Sequence, residues 1–345
     1  MNLLIIGPSW VGDMVISNSL LQHLKRIYPG CKIDVLAPAW CNMILKKMPE
    51  VDGVITMPVT HGQLRIGARR KIAASLPRNY DRAIVLPNSF KSSLIPFFAK
   101  IPVRTGYTGE LRYGVLNDRR SLDKETLPLM HMRYNALAYP KNSLSDLEQL
   151  RHPYPHLQVD RSAQEIAKAE LSELMGLNYL SPFIAICPGA EFGPAKCWPH
   201  YHYSYLSNQL IEEGFYVIIL GSAKDRNIAQ KIREGVNKQD YCLDLTGKTQ
   251  LDTAVDILSI AHGVVSNDSG LMHIAAALDR PLVALFGPTS PQFTPPLSSR
   301  ARILRKIEGY FPIRHSKDSP EGYHRSLIDL SPEEVHHSIT SLLAT

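Results

Sequence analysis

At 345 residues the chain is longer than a single hydrophobic core usually grows, so we expect two domains. Hydrophobic residues make up 44% of the chain and charged residues 20%, which excludes a disordered or fibrous protein. The formal net charge is +6, and no apolar run approaches the roughly 18 to 20 residues of a membrane-spanning helix.

The N-terminal run and the cysteines bear on the cellular compartment. No Lys or Arg precedes Leu3–Ile6, and Gly7 and Pro8 interrupt the run, so it does not resemble a secretory signal. The five cysteines are scattered, odd in number and without a Cys-x-x-Cys pair, which argues against a disulfide framework or a zinc site. We expect a cytoplasmic protein with reduced thiols.

Short apolar or β-branched runs alternate with amphipathic stretches in the first part of the chain. Such runs predict buried strands, and the stretches between them have helical periodicity. The predicted strands are Leu3–Ile6, Lys32–Leu36, Val54–Met57 and Ala83–Leu86, with helices to about Tyr28, through Met48 and around Arg69. The alternation predicts βαβ units and a doubly wound parallel sheet.

The first predicted strand ends in a glycine-punctuated loop, Gly7–Asp13, which leads into a helix predicted over Met14–Ile27. The loop lacks the Lys of a Walker loop and the third glycine of a dinucleotide fingerprint, and it ends in a carboxylate. Asp13 is therefore either a helix cap or a general base that accepts a proton from a substrate hydroxyl. The local pattern leaves both interpretations open.

The alternation weakens between Thr108 and Asp160, and a second series of strands and helices then begins. Its predicted strands are Phe183–Cys187, Tyr216–Leu220, Gly263–Val265 and Pro281–Phe286, and its helices include Tyr203–Glu213 and Leu251–Ala261. We therefore expect two Rossmann-like domains, with ligands in a cleft between them at the carboxyl ends of the strands.

The expected domains are residues 1–160 and 180–330, followed by a C-terminal helix over 331–345. Ser331 is a typical helix cap, and Pro332 with the acids after it is typical of a first helical turn. This helix is a candidate for packing back on the first domain.

The turn after the second domain's first strand is the long, shaped segment Pro188–Pro199. It places Lys196 near the start of the following helix, where the helix dipole does not favour a cation. A bound diphosphate would offset that conflict, so Lys196 is a candidate phosphate ligand. The alternative is a solvated surface lysine.

A polar turn, Ser266–His273, connects a predicted strand to an apolar helix. Asp268, Ser269 and Gly270 fall at the helix N-terminus, where free backbone N–H groups favour an anion or a nucleotide. A capped buried helix without a ligand is the alternative. His273 is equally consistent with a ligand contact and with a buried core histidine.

Motifs for metal and hydrolase chemistry are missing from the sequence. No Asp-x-Asp tripeptide is present, and the histidines do not have zinc-ligand spacing. No Gly-x-Ser-x-Gly elbow is present either. We expect no metal and no cofactor, so positive charge on a leaving group would come from Lys196 and helix N-termini.

Positive charge is concentrated in one stretch of the first domain. Residues 61–120 contain twelve Lys or Arg and three acids, an excess that exceeds the net charge of the whole chain. Such a stretch is either a solubilising face or a site for an anionic partner. A nucleic acid is not expected, because the stretch lacks interleaved aromatic platforms and any known module.

These motifs together strongly resemble glycosyltransferase family 9, the heptosyltransferases of lipopolysaccharide core assembly, and in particular the members that add the second heptose. The resemblance implies the α/β GT-B fold, with two Rossmann-like domains facing across a cleft, and a metal-independent reaction that inverts the anomeric carbon. It covers nearly the whole chain and is carried by Gly7–Met14, Leu86–Ser92, Pro188–Pro199, Asn267–His273 and Gly322–His324.

The resemblance also implies roles for individual residues. The catalytic base would be Asp13, and the donor's diphosphate would be held by Lys196. The donor-binding turn would be Asp268, Ser269 and Gly270, with His273 nearby. The implied donor is ADP-L-glycero-D-manno-heptose (ADP-heptose), and the implied acceptor is the first heptose of heptosyl-Kdo2-lipid A.

The implied acceptor would explain the excess of positive charge in residues 61–120. Lipid A and Kdo carry phosphates and carboxylates and lie on the cytoplasmic face of the inner membrane, so peripheral contact with that membrane is expected. The candidate acceptor-binding residues are Ser9, Trp10, Arg65, Arg69, Arg70, Lys71, Lys91 and Arg104.

Other functions remain open at this point. One is another sugar-nucleotide enzyme of the same fold, either the first heptosyltransferase or an epimerase. A different class is a non-catalytic protein that binds a nucleotide sugar or an anionic lipid. Mass spectrometry of the products formed from ADP-heptose, with and without acceptor, separates the enzymes from one another. Binding of donor and acceptor without release of ADP would indicate the non-catalytic protein.

Overall fold

A computed structural model describes residues 1–58, 63–141, 143 and 146–344. The chain divides into two compact units between Gln158 and Val159. Within the described residues, each unit is built on a six-stranded parallel sheet, and helices connect all successive strands except β5 to β6 and β11 to β12. The predicted α/β class with two Rossmann-like domains is confirmed.

The first unit has a sheet of order β3-β2-β1-β4-β5-β6. Its central strands are almost wholly buried, which explains their continuous apolar sequence. The elements are β1 (Asn2–Ile6), α1 (Val11–Ile27), β2 (Lys32–Pro38), α2 (Asn42–Leu45), β3 (Gly53–Met57), α3 (Ile66–Ala74), β4 (Arg82–Val85), α4 (Leu94–Phe98), β5 (Val103–Tyr107), β6 (Asp118–Arg120) and α5 (Met130–Ala136).

The second unit repeats this topology, with β7 in the place of β1 and the order β12-β11-β10-β7-β8-β9. Its elements are α6 (Arg161–Leu174), β7 (Phe183–Cys187), α7 (His200–Glu212), β8 (Tyr216–Ile219), α8 (Arg226–Glu234), β9 (Cys242–Asp244), α9 (Leu251–Ile260), β10 (Gly263–Asn267), α10 (Gly270–Ala277), β11 (Leu282–Phe286), β12 (Ala301–Arg305), α11 (Arg325–Ile328) and α12 (Pro332–Leu343).

The strands that the sequence pattern did not predict are β5, β6, β9 and β12. Three of them are sheet edges, because β6 ends the first sheet and β9 and β12 flank the second. Edge strands are partly solvated and carry charged side chains, so they lack the apolar runs that predict a central strand.

The helix α1 begins three residues earlier than predicted, at Val11 with Trp10 as its N-cap. It packs closely on the sheet, since a Cβ at Gly7 would lie 2.7 Å from Cε of Met14. Asp13 is therefore part of the first helical turn, and the glycine lets that turn sit directly above the end of β1.

The C-terminal helix α12 packs within the second unit, against α7, β10 and β11. Val335 and Ile339 are buried in that unit's core, and the side chain of Ser331 caps the helix in a capping box with Glu334. The sequence suggested the first domain as a candidate partner; the contacts described here are with the helix's own unit.

Among the described helices, none is long and apolar enough to cross a membrane. All five cysteines are buried and free, without a disulfide in the described residues.

Candidate active site

The four motif-bearing turns follow the four central strands of the two sheets. In the first unit β1 and β4 are adjacent, and in the second unit β7 and β10 are adjacent. In each sheet this is the point at which the strand order reverses. Open parallel sheets bind ligands at the carboxyl ends of such strands, so each unit presents its motifs where its topology provides a binding crevice.

Asp13 is partly buried in the first turn of α1 and does not cap the helix. Within the described part of the chain, neither Trp10 nor Asp13 makes a capping side-chain hydrogen bond to that turn. Burial raises the pKa of the Asp13 carboxyl from 3.8 to about 6. The cap interpretation is therefore not supported, and a carboxyl that titrates near neutrality suits a general base.

Two buried groups lie close to the Asp13 carboxylate. Burial raises the pKa of the Cys41 thiol to about 12, and the negative charge of Asp13 adds to that effect. Burial also raises the pKa of Tyr134, and Asp13 again contributes. Both groups are consequently neutral at physiological pH, so Asp13 carries the negative charge among these three side chains.

The turns after β1 and β2 each carry an exposed tryptophan, Trp10 and Trp40. Trp10 is 60% exposed, and Trp40, at the end of β2, is 52% exposed. The Trp40 indole Nε1 donates a hydrogen bond to the Ser9 carbonyl at 2.9 Å. Ser9 and Trp10 were predicted from the sequence, but Trp40 was not, because only the pairing of β1 with β2 brings it to this place.

The turn after β4 is organised by Arg112, a side chain that is 1% exposed. Its Nη1 donates to the Pro87 carbonyl at 2.9 Å, and its Nη2 donates to Oδ1 of Asn88 at 3.1 Å and to the Tyr107 carbonyl. Its Nε has no partner among the described residues. Arg112 thus fixes the turns after β4 and β5, a role that no sequence pattern indicated.

Part of the basic excess is internal rather than on the surface. Arg69, Arg82 and Arg112 are all buried. The Arg69 guanidinium donates to the carbonyls of Leu64 and Gln63 at 2.6 and 3.2 Å. The expectation that the whole stretch forms a basic surface is corrected accordingly.

Of the remaining candidate acceptor cations, Arg104 is also engaged internally. Its Nε and Nη1 donate to the carbonyls of Val115 and Ile101 at 2.7 and 2.6 Å. Arg65, just before α3, and Arg70 and Lys71, within α3, are exposed, and Lys91 is partly buried in the turn after β4.

In the second unit, Lys196 and Asp268 form an ion pair. The ammonium Nζ lies 2.6 Å from Oδ2 of Asp268, and the two side chains are only 15% and 12% exposed. The Thr289 hydroxyl donates to the same carboxylate oxygen at 2.8 Å. Lys196 is therefore not a solvated surface lysine, and the carboxylate already offsets its position near a helix start.

The helix α10 begins immediately after this ion pair. Its N-cap, Ser269, makes no capping hydrogen bond in the part of the chain that is described, and its first residue is Gly270. The first-turn N–H groups have no intrahelical acceptors, and with Lys196 beside them they form a cradle for an anion.

His273 lies one turn into α10 and is nearly fully buried. Burial lowers the pKa of its imidazole to about 4, and the charges of Asp268 and Lys196 act on it in opposite directions. The imidazole is therefore neutral at physiological pH and close to the ion pair.

Asn267 is fully buried, and its side-chain hydrogen bonds connect the elements that carry Lys196 and Asp268. Its Oδ1 accepts from the Trp198 backbone N–H at 3.0 Å and from the Tyr203 hydroxyl at 3.1 Å, and its Nδ2 donates to the Pro188 carbonyl at 2.6 Å. One amide thus ties the end of β10 to the turn after β7 and to α7, which places Lys196 next to Asp268.

The first unit thus has a partly buried carboxylate, Asp13, and the second unit has the ion-paired Lys196 beside the backbone N–H groups at the start of α10. Among the described residues, no group of three or more His, Cys, Asp or Glu side chains could hold a metal ion. A carboxylate that can take a proton and a cradle that can hold a diphosphate are the parts that group transfer from a nucleotide sugar needs.

Comparison with known proteins gives a consistent result. Residues 69–324 match the sequence profile of glycosyltransferase family 9 (heptosyltransferase). Lipopolysaccharide heptosyltransferase 2 of Salmonella typhimurium is 53% identical over 349 aligned positions, which cover 100% of this chain and 99% of that protein. The enzyme of the same name from Escherichia coli strain K12 is also 53% identical, with 99% of each chain covered.

A solved structure shows the same similarity in three dimensions. The structure of E. coli ADP-heptose lipopolysaccharide heptosyltransferase II superposes with a TM-score of 0.89 and 51% sequence identity. The match covers 100% of this chain and 99% of the other. The similarity therefore includes both parallel sheets and all four motif-bearing turns.

Proposed function

The chain belongs to glycosyltransferase family 9 and is a heptosyltransferase of lipopolysaccharide synthesis with the GT-B fold; on this premise we propose the details of its reaction. It transfers L-glycero-D-manno-heptose from ADP-heptose to the first heptose of the inner core. The observation that carries the proposal is the full-length identity of about half of all residues to lipopolysaccharide heptosyltransferase 2 of two species.

The donor's diphosphate binds at the start of α10. The first-turn N–H groups and the Lys196 ammonium supply the positive charge there, and the ion pair with Asp268 keeps Lys196 directed toward the helix. Asp268, Ser269, Gly270 and the neutral His273 complete the donor site. These groups are fixed before the donor arrives, so little reorganisation accompanies the reaction.

Asp13 acts as the general base on the acceptor. Its carboxyl, with a pKa of about 6, is largely ionised at pH 7 and still basic enough to accept a proton from a hydroxyl. The Ser9–Trp10 segment lies beside the acceptor sugar, the exposed cations of α3 and the partly buried Lys91 face its anionic groups, and the protein contacts the inner membrane peripherally.

Transfer proceeds with inversion in a single displacement. The acceptor oxygen gives its proton to Asp13 and forms a bond to the donor's anomeric carbon. The bond from that carbon to the diphosphate oxygen breaks on the opposite face, and its electron pair leaves with ADP. Lys196 and the α10 amides balance the charge of the departing diphosphate, so the reaction needs no divalent metal.

The test is a comparison of acceptors. Purified protein is given ADP-heptose with lipopolysaccharide that carries no heptose or one heptose, and with EDTA in both reactions. ADP release and a mass gain of one heptose are expected with the one-heptose acceptor alone. Transfer to the heptose-free acceptor would indicate a first heptosyltransferase, isomerised donor without ADP release an epimerase, and binding without turnover a non-catalytic protein.

A further inference from the structure

Trp10 and Trp40 are unusual because more than half of the surface of each residue is exposed to solvent. Burial of an indole removes much apolar surface from water, and the third tryptophan, Trp198, is fully buried. Two neighbouring turns at the carboxyl edge of the first sheet each present such a ring. Both rings are among the exposed large apolar side chains of the described residues.

The position of Trp40 is fixed by a polar contact. Its Nε1, the one polar group of an indole, donates to the Ser9 carbonyl at 2.9 Å. The Cys41 thiol lies 4.0 Å from the same oxygen. The end of β2 is thereby tied to the end of β1, and the Trp40 ring is held in place while about half of its surface stays open.

Both rings belong to the surroundings of Asp13. Trp10 is the N-cap of α1, so Asp13 follows it within one helical turn. On the other side, Cys41 is next to Trp40 in sequence and is close enough to Asp13 to be influenced by its charge. The strands β1 and β2 are paired in register up to Ile6 and Leu36, so their following turns share one edge of the sheet.

We propose that Trp10 and Trp40 form a stacking subsite for a pyranose ring of the acceptor, which they hold with a hydroxyl directed at Asp13. This inference rests on the proposed function. The C–H face of a pyranose is apolar and slightly positive, so it stacks on the electron-rich face of an indole, while its hydroxyls remain free at the ring edge. An open indole beside a general base supplies both contacts.

A membrane surface is the other occupant that exposed tryptophans fit, because indoles favour the lipid–water interface. The structure favours the sugar for two reasons. The Nε1 of Trp40 is already engaged by the Ser9 carbonyl, so it does not reach for lipid headgroups. A partly buried carboxylate, Asp13, lies in the helical turn that follows Trp10 and would be repelled by an anionic bilayer.

The experiment uses the full chain and a lipid-free acceptor, the deacylated core oligosaccharide that carries one heptose. Initial rates are measured with wild type, Trp10→Ala, Trp40→Ala and the two Trp→Phe variants. We expect each Ala variant to raise the KM for the oligosaccharide at least tenfold and to leave the KM for ADP-heptose within twofold. The Phe variants, which keep an aromatic face, recover most of that loss.

A matched control is Tyr179→Ala, which removes a 78% exposed aromatic side chain from the second unit and should change neither KM. Thermal unfolding identifies any variant that fails to fold, and the Trp40→Phe variant separates the ring face from the hydrogen bond to Ser9. Because Trp10 makes no capping side-chain bond, its Ala variant keeps the helix start.

Two outcomes would overturn the subsite. One is an unchanged KM for the oligosaccharide in folded Ala variants. The other is a KM that rises only for acceptor embedded in phosphatidylglycerol vesicles, which would assign the rings to the membrane. If wild type itself transfers no heptose to any acceptor, the proposed function fails instead, so the two failures are distinguishable.

Discussion

At the scale of single residues, burial decides which charged groups are poised for chemistry. Asp13 and Asp268 are both partly buried carboxylates, but Asp268 is paired with Lys196 and accepts from Thr289, whereas burial without such compensation raises the pKa of Asp13 to about 6. An uncompensated carboxylate is costly to the fold, and such groups concentrate where chemistry requires them.

The first prediction concerns Asp13→Asn. If Asp13 is the base, kcat falls by about 10²- to 10⁴-fold while the Kd for ADP-heptose changes little. In wild type, kcat/KM falls as the pH drops through about 6, because the folded-state carboxyl becomes protonated there. In the variant this acid limb is absent. Steady-state rates between pH 5 and 8.5 provide the check, and near-wild-type turnover would contradict the role.

The same residue gives a stability prediction with a definite sign. The folded pKa of Asp13 is raised above its unfolded value of 3.8, so its contribution to stability is present at low pH and is lost as the pH rises through about 6. At pH 8, the free energy of unfolding of Asp13→Asn and of Asp13→Ala should therefore exceed that of wild type by about 2–3 kcal/mol. A helix cap would instead lose about 1 kcal/mol in the Ala variant. Denaturant unfolding at pH 8 and pH 4 separates the two.

At the scale of elements, buried polar side chains position the turns of the candidate site. Arg112 holds the turns after β4 and β5, and Asn267 joins β10 to the turn after β7. Such side-chain contacts are necessary because a turn at the carboxyl edge of a sheet has no neighbouring strand that could form hydrogen bonds with its backbone N–H and C=O groups.

We predict that Asn267→Ala lowers the free energy of unfolding by about 3 kcal/mol, since it leaves the Trp198 N–H, the Tyr203 hydroxyl and the Pro188 carbonyl without partners. It should also raise the KM for ADP-heptose, because Lys196 loses its fixed position. Urea unfolding and initial rates measure these effects.

Asn208→Ala is the matched control for Asn267→Ala. The Asn208 amide also makes two hydrogen bonds to backbone, with Gly235 and Asn237, but at a solvated position. Water replaces those bonds, so the loss should be below about 1 kcal/mol with no change in KM. Equal losses of unfolding free energy in the two variants would contradict the structural role proposed for the buried Asn267 amide.

At the scale of the whole molecule, each unit has its own sheet and its own buried histidines. Burial lowers the pKa of His23 and His131 in the first unit, and of His273 in the second, to about 4. These imidazoles are neutral in the folded protein well below the pH at which the unfolded chain binds protons.

The protein is accordingly predicted to lose stability in mild acid. Between pH 6.5 and 4 the unfolded state binds more protons at these histidines, so the free energy of unfolding falls by up to about 1.4 kcal/mol per pH unit for each of them. Thermal melts from pH 7.5 to 4.5 measure the slope. His131→Gln should flatten it, and an unchanged slope in that variant would contradict the assignment.

The second unit is predicted to fold by itself. Residues 159–345 contain a complete sheet and a core to which α12 contributes Val335 and Ile339. The isolated fragment should unfold cooperatively and bind ADP with a Kd within about tenfold of the full chain, since the α10 cradle lies wholly within it. Calorimetry tests both points, and a fragment without a cooperative transition would contradict the prediction.

The sequence by itself determined the fold class, the central strands and the turns that carry the candidate site. These features are local: continuous apolar runs mark strands buried on both faces, and glycine-rich polar turns mark their ends. The N-cap at Ser331 of the C-terminal helix was predictable for the same reason, because a capping box involves only four consecutive residues.

Only the tertiary structure decided which charged side chains are open to solvent and which are engaged in hydrogen bonds inside the fold. Arg69, Arg104 and Arg112 look like surface cations in sequence, yet each donates to backbone carbonyls that folding brings near. The Asp13 pKa and the place of Trp40 likewise depend on neighbours from other elements. Burial and long-range partners set these properties, and neither is encoded in local spacing.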